Sequence, residues 1–413
     1  MRRVVITGMG VVSSIATDLQ TYWDGLIKGV NGITEISSIP HDDIPVHFAG
    51  EVKDFDPLQH GVAKDQARRN DRFALFALAA SHKAVEDSGI KSGENIDPER
   101  FGVYIGSGIG GLHTLEKEHT KVMEEGSARV SPLFIPMMIS NIAAGNVAIS
   151  HNAQGPCLPT VTACATSSHA IGEAFRAIRY GYADAIIAGG SEAAISPLAI
   201  GGFYTSKALS RAENANEVSL PFDKRRQGFI MGEGSGIVIL EEYEHAVARG
   251  AQIYAEVCGY GNTCDAHHIT APRPDGACAQ RAITLALEEA GYQSGERLYV
   301  NAHGTGTPLN DKSETLALKN ALGEDVARKA FISSIKSMIG HCLGAAGGLE
   351  LVATALTLKN GIIPPTINLL EADPDCDLNY VPNQAIAEQC EIAISENFGF
   401  GGQNACIALR RVK

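Results

Sequence analysis

The sequence predicts a layered α/β protein built from two similar halves, and three observations lead there. Strand-like apolar runs alternate with helical stretches along the whole chain. Segments of the same character recur in the same order in its two parts. No Pro- or Ser-rich linker separates those parts, so they are expected to be fused in one body, residues 1–250 and 251–413.

The first half opens on "RRVVIT", whose β-branched run predicts a buried strand. Two arginines before an apolar stretch also imitate a signal peptide, but Gly8 and Gly10 interrupt the stretch and no small-residue cleavage pattern follows. Then come the helical "DRFALFALAASHKAVEDSG" and the strand-like "FGVYIGSG", "AIIAGG" and "GSGIVILEE". The second half repeats the rhythm with "QIYAEVCGYG", the helix "CAQRAITLALEEAG", "LYVNAHGTGT", "KAFISSIKS" and the helix "GGLELVATALTLKNG". Two likenesses support duplication. "VTACATSSHAIGEAFRAIRYG" and "ISSIKSMIGHCLGAAGGLELVATALTLKNG" each read as strand, polar small-residue turn and helix. "GFIMGEGSGIVILEEY" and "NFGFGGQNACIALRRV" each read as a glycine-rich turn before a β run.

Composition narrows the function. With 413 residues, 45% hydrophobic and 20% charged, the chain can bury a deep core. No apolar run reaches the roughly 18 residues that cross a bilayer. A net charge of -13 argues against general nucleic-acid binding. Nine cysteines, an odd number without CxxC pairs, suggest reduced thiols in a cytoplasm.

Each motif has a bland alternative. "GSGIGG", residues 106–111, matches a dinucleotide fingerprint, yet its strand is not the first and no acidic ribose ligand closes a compact unit; a glycine-lined pocket wall carrying Ile109 fits better. "CDAHHIT", residues 264–270, lacks the spacing of a zinc site and reads as a polar loop at a pocket mouth. Cys164 sits just before the helix "SSHAIGEAFRAI", whose N-terminus supplies positive potential that favours a thiolate. Locally this leaves a nucleophile and a small buried hydrophobe equally open. His303 and His341, each at a strand end before a Gly-containing turn and the latter with Lys336 upstream, complete a Cys-His-His set suited to acyl-thioester chemistry.

The segments "TACATSSHA", "NAHGTGTPLNDKSE", "IKSMIGHCLGAAGG", "PPTINL", "CDLNYVPN" and "NFGFGGQN" together resemble the β-ketoacyl-[acyl-carrier-protein] synthases, on the side of the elongating enzymes of bacterial fatty-acid synthesis. The likeness runs in order over essentially the whole chain. It implies a thiolase fold, an αβαβα sandwich of duplicated halves, in a homodimer. Cys164 is implied as the acyl-accepting nucleophile and His303 and His341 as the malonyl site, with Lys336 held by Glu350. Phe400 is implied as a mobile gate whose N–H, with that of Cys164, forms an oxyanion hole. Thr270, Thr305 and Thr307 are implied to bind the phosphopantetheine arm, Ile109 and Phe203 to line the acyl pocket, and Phe134 and Met138 to line it near the dimer partner. No metal or redox cofactor is implied, since substrates arrive on acyl carrier protein.

The implied docking patch for this acidic carrier is "AKDQARRNDR", where Lys64, Arg68 and Arg72 follow at helical spacing beside Arg69, with Lys207 added. Four positions depart from the family pattern: Gly306, Ile339, Cys342 and Gln403. They leave open a ketosynthase of a specialised polyketide or polyene pathway. A non-catalytic, chain-length-factor-like scaffold would lack the nucleophile that is present here, and a degradative thiolase would carry a second cysteine in its C-terminal turn.

Overall fold

The structure, a computed structural model, describes residues 1–40 and 43–412. Among them nine strands form one mixed sheet: β1 (Val4–Val12), β2 (Phe101–Gly106), β3 (Ala185–Glu192), β4 (Gly234–Glu242), β5 (Ala255–Cys264), β6 (Leu298–Asn301), β7 (Phe331–Ser333), β8 (Ile392–Gly399) and β9 (Gln403–Arg410). Their order is β2-β3-β4-β1-β5-β9-β8-β6-β7. Outward from the centre the two sides match. β1 and β5 each pair antiparallel with the last strand of their set, β4 and β9. These pair antiparallel with β3 and β8, which pair in parallel with β2 and β6. Beyond them lie a parallel bridge between Val103 and Cys157 on one side and β7 on the other. The two sides join where β1 meets β5, through Val4 with Val257, Val5 with Glu256 and Ile6 with Ala255.

Six helices complete the layers: α1 (Arg72–Ser88), α2 (Ile142–His151), α3 (Thr166–Arg179), α4 (Ala277–Glu289), α5 (Pro308–Leu322) and α6 (Ala346–Asn360). α1 and α2 pack on the first set of strands, and α4 packs on the second with α5 against it. α3 and α6 touch each other and strands of both sets, so they lie between them. The αβαβα layering implied by the family resemblance is therefore present.

Strand side chains show why both faces had to be apolar. Along β4, Ile237 and Ile239 enter the core under α1 while Val238 and Leu240 enter the central core. Along β9, Ile407 and Leu409 enter the central core while Cys406 and Ala408 enter the core under α4. Alternate residues point to opposite faces of a strand, so a sheet covered on both sides needs a continuous apolar run. The central helices are buried nearly all round. They approach the strands closely because glycines meet: a Cβ at Gly236 would collide with the Gly348–Leu349 backbone, and one at Gly348 with Gly236.

Candidate active site

Cys164 stands in a short turn, Ala163–Ala165, that leads into α3. Ala163 holds φ at +51°, a left-handed conformation that costs a non-glycine residue about 1–2 kcal/mol. Thr166 steadies the turn: its hydroxyl accepts from Thr162 N–H at 2.9 Å and its carbonyl accepts from the Thr160 hydroxyl at 2.9 Å. The Phe400 backbone N–H faces the Cys164 sulfur. Burial pushes the thiol up to about 12, against the pull of Lys336 and the Phe400 N–H. Burial therefore opposes the thiolate that the helix N-terminus favours.

His303 follows β6. The Glu314 carboxylate, reaching back from α5, accepts its N–H at 2.6 Å and that of Gly304 at 2.8 Å. Lys336 Nζ donates to the His303 carbonyl at 2.6 Å and pairs with Glu350 on α6. The backbone of His341 bridges to residues 230–232: its N–H donates to Ile230 O at 2.7 Å and its carbonyl accepts from Gly232 N–H at 2.9 Å. Its Nδ1 accepts from Leu343 N–H at 3.3 Å. The two imidazoles meet edge to face, centroids 5.3 Å apart. Burial, reinforced by the Lys336 charge, holds both well below the ordinary histidine range, so both are neutral near pH 7.

A cavity of about 350 Å³ gathers Cys164, His303, His341, Phe400, Thr270, Thr305, Thr307 and Lys207 in its lining. The Thr305 and Thr307 hydroxyls lie 2.9 Å apart. Lys336 and Glu350 are buried behind His303 rather than exposed to the cavity. An apolar cavity of about 320 Å³ adjoins it, lined by Ile109, Phe203, Leu112, Leu198 and neighbours. Ser206 and Phe400 belong to both linings, so the Phe400 ring stands at the partition.

Phe134 and Met138 lie half-buried on a short helix, where the Met138 carbonyl accepts from Gly111 N–H at 3.0 Å; their expected place in the acyl pocket is beside a partner copy, and neither lines the two cavities of one chain. One sequence expectation needs correction. Arg72 does not share the helix of Lys64, Arg68 and Arg69. That helix ends at extended Asn70, Asp71 caps α1, and Arg72 turns inward to Glu233 and the Val52 carbonyl. Lys64, Arg68, Arg69 and Lys207 are exposed. The "GSGIGG" loop wraps a carboxylate: Glu192 accepts from Gly108 N–H at 2.8 Å, Ile109 N–H at 3.2 Å and the Ser107 hydroxyl at 2.8 Å. Among the described residues no cluster of three or more His, Cys, Asp or Glu is arranged for a metal, and no helix is long and apolar enough to cross a membrane. Gly306 holds φ at +77°, which explains glycine there. Ile339 and Cys342 are buried in the central core.

Sequence reasoning missed Glu192, Glu314 and Asn397. Glu314 closes the quoted "NAHGTGTPLNDKSE", and Asn397 opens "NFGFGGQN"; acidic and amide residues beside those motifs were the available signal.

Residues 1–246 match the family described as β-ketoacyl synthase, N-terminal domain, and residues 254–370 match its C-terminal domain. The chain is 51% identical over 411 residues to 3-oxoacyl-[acyl-carrier-protein] synthase 2 of Synechocystis, covering 99% of this chain and 98% of the relative. It is 48% identical over 410 residues to the same-named protein of Staphylococcus aureus, with the same coverage. Among solved structures, a type II polyketide ketosynthase in complex with its acyl carrier protein superposes with a TM-score of 0.92 at 36% identity over the full length of both chains. A β-ketoacyl synthase from Burkholderia phymatum superposes at 0.91 with 35% identity, also over both full lengths.

Proposed function

Because the chain belongs to the β-ketoacyl synthase family, we propose that it elongates acyl chains by two carbons in fatty-acid synthesis, condensing malonyl-[acyl carrier protein] with an acyl group held on Cys164. The observation that carries this reading is the convergence of Cys164, His303, His341 and Phe400 on one cavity. The relatives named 3-oxoacyl-[acyl-carrier-protein] synthase 2 are 47% to 51% identical, against 36% for the polyketide ketosynthase, which favours fatty-acid over polyketide synthesis.

The geometry supports the following cycle. Cys164 sulfur attacks the acyl thioester, its proton leaves with the pantetheine thiol, and the tetrahedral oxyanion is held by the N–H groups of Cys164 and Phe400. Malonyl thioester then enters. Its carbon–carboxylate bond breaks, CO₂ departs, and the electron pair forms an enolate whose oxygen takes hydrogen bonds from the imidazole N–H groups of His303 and His341. The enolate carbon attacks the Cys164 thioester, forming the new C–C bond and releasing the sulfur, which takes up a proton. Neutral imidazoles suit this step, since each supplies a donor without a full charge that would hold the malonyl carboxylate in place. The reaction needs no metal or redox cofactor.

Thr270, Thr305 and Thr307 are read as holding the pantetheine arm, and Ile109 and Phe203 as lining the acyl end beyond Phe400. Exposed Lys64, Arg68, Arg69 and Lys207 form the basic face for acyl carrier protein; Gln66 anchors the docking helix to α2 through the Ser150 hydroxyl at 2.8 Å. The exposed apolar side chains Ile135, Ile149, Leu158 and Val161 suit cover by a second copy, hence a homodimer. Nine free cysteines suit a cytoplasmic setting. The halves are read as residues 1–250, with the nucleophile, and 251–413, with the histidines.

The test is incubation with acyl-carrier and malonyl-carrier proteins of graded chain length, products followed by mass. An acyl adduct on Cys164 is expected, and Cys164→Gln should abolish condensation yet retain malonyl decarboxylation. Absence of the adduct, or loss of both activities in Cys164→Gln, overturns the division of roles.

A further inference from the structure

The tautomer of His341 is set by main chain: Leu343 N–H donates to Nδ1, so the ring proton sits on Nε2. Among the described residues no main-chain group does this for His303. The polar atom facing its Nδ1 is Nδ2 of Asn397, 3.5 Å away. Asn397 lies near the end of β8, completely buried.

The amide of Asn397 is fixed by its other two contacts. Nδ2 donates to Glu350 Oε2 at 2.7 Å, and Oδ1 accepts from the Ser168 hydroxyl on α3. Glu350 is paired through its other oxygen with Lys336 and so offers Oε2 as an acceptor. Turning the amide over would bring Oδ1 against that carboxylate oxygen, acceptor against acceptor, at the 2.7 Å spacing now occupied by a hydrogen bond. With one Nδ2 hydrogen on Glu350, the second is directed at His303 Nδ1.

We propose that Asn397 is a positioning residue that keeps the His303 proton on Nε2, by presenting an N–H to Nδ1 from an amide that Glu350 and Ser168 hold in one orientation. This rests on the reading of His303 as a donor to the malonyl enolate oxygen. It gives the buried Lys336–Glu350 pair a second task besides neutralising charge: through Asn397 it orients the imidazole, as outer-shell groups orient ring ligands elsewhere. It also ties α3, which follows the turn that carries Cys164, to the histidine that works on the other substrate.

The test uses the full-length protein labelled with ¹⁵N-histidine, the His303 signals being assigned by their loss in His303→Gln. In the unsubstituted protein His303 is expected to show a protonated Nε2 and a bare Nδ1. Asn397→Leu, which removes both amide groups at similar volume, should show a mixture of tautomers. Its kcat for malonyl decarboxylation should fall roughly three- to tenfold with little change in KM, since only the competent fraction of the ring acts. Acylation of Cys164 should stay within about twofold. Asn397→Ser retains a hydroxyl donor and should recover the Nε2–H signal. A bare Nε2 in the unsubstituted protein, or an unchanged tautomer in Asn397→Leu, overturns the proposal. So does an equal fall of acylation and decarboxylation, which marks a structural role only. Should the Leu variant fail to fold, the unsubstituted spectrum and the Ser variant still decide. If the tautomer shifts but His303→Gln decarboxylates normally, the tautomer assignment stands and the enolate role of His303 fails instead.

Discussion

The turn before α3 and the turn before α6 are the same local structure used twice. Each is a three-residue 3₁₀ turn, Ala163–Ala165 and Leu343–Ala345, and each opens with a non-glycine residue in the left-handed region, at φ +51° and +46°. Aligning the two puts Cys164 opposite Gly344. The strand ends that face them are also equivalent, β3 at Glu192 and β8 at Gly399. In the second turn the Glu192 carboxylate accepts Gly344 N–H at 3.1 Å. In the first, a Cβ on Gly399 would lie 3.2 Å from Cys164 N, so glycine keeps that N–H clear. One turn is capped by a carboxylate and serves as a support for His341; its twin keeps the Cys164 N–H clear and carries the proposed nucleophile. Duplication supplied the backbone twice, and the strand-end residue separates the support from the reactive site.

The largest expected effect probes the division of labour. His341→Ala removes an enolate donor and should lower malonyl decarboxylation by about 10²–10³, while acyl transfer to Cys164 persists, the mirror image of Cys164→Gln. Equal loss of both half-reactions would collapse the distinction between the turns. Next, Gly344→Ala places a methyl group against Gly108 N and 2.7 Å from Glu192 Oε2. Overpacking of this kind should cost about 1–3 kcal/mol in the denaturant midpoint, whereas Cys164→Ala, facing the cavity, should change stability far less.

A pH measurement sharpens the electrostatic side of the comparison. With the thiol pushed up to about 12, alkylation of Cys164 by iodoacetamide should rise about tenfold per pH unit from 6 to 9 without a plateau. A plateau near pH 8 would show a stabilised thiolate. The histidines sit well below 6.5, so decarboxylation by Cys164→Gln should be flat between pH 6 and 8 and fall only as acid protonates the rings. The smallest effect is expected for Ala163→Gly. Relief of a left-handed residue, about 1–2 kcal/mol, less the added freedom of glycine in the unfolded chain, about 0.5–1 kcal/mol, leaves a gain of about 0–1.5 kcal/mol. Calorimetric or denaturant stability checks it; destabilisation would show that the methyl of Ala163 packs usefully.

Much of this site was legible because it is carried by contiguous motifs. Cys164, His303, His341 and Phe400 each lie in a short polar or glycine-rich turn, and those turns converge on one cavity. The Lys336–Glu350 pair also stands as expected. Arg72 was misread because helical spacing was extended through Asn70, whose extended backbone ends one helix while Asp71 caps the next.

The sequence by itself determined the layers and the reactive groups, because strand periodicity, small-residue helices and local turn chemistry act within a few residues of one another. Only the tertiary structure decided which carboxylate caps which turn, that burial raises the Cys164 thiol, and which way the Asn397 amide faces. Those outcomes depend on burial and on partners far apart in the chain, such as Glu192 with Gly344 and Asn397 with Ser168 and Glu350, brought together when α3 and α6 pack between the two sets of strands. Desolvation and hydrogen-bond geometry arise from that packing, and no local pattern encodes them.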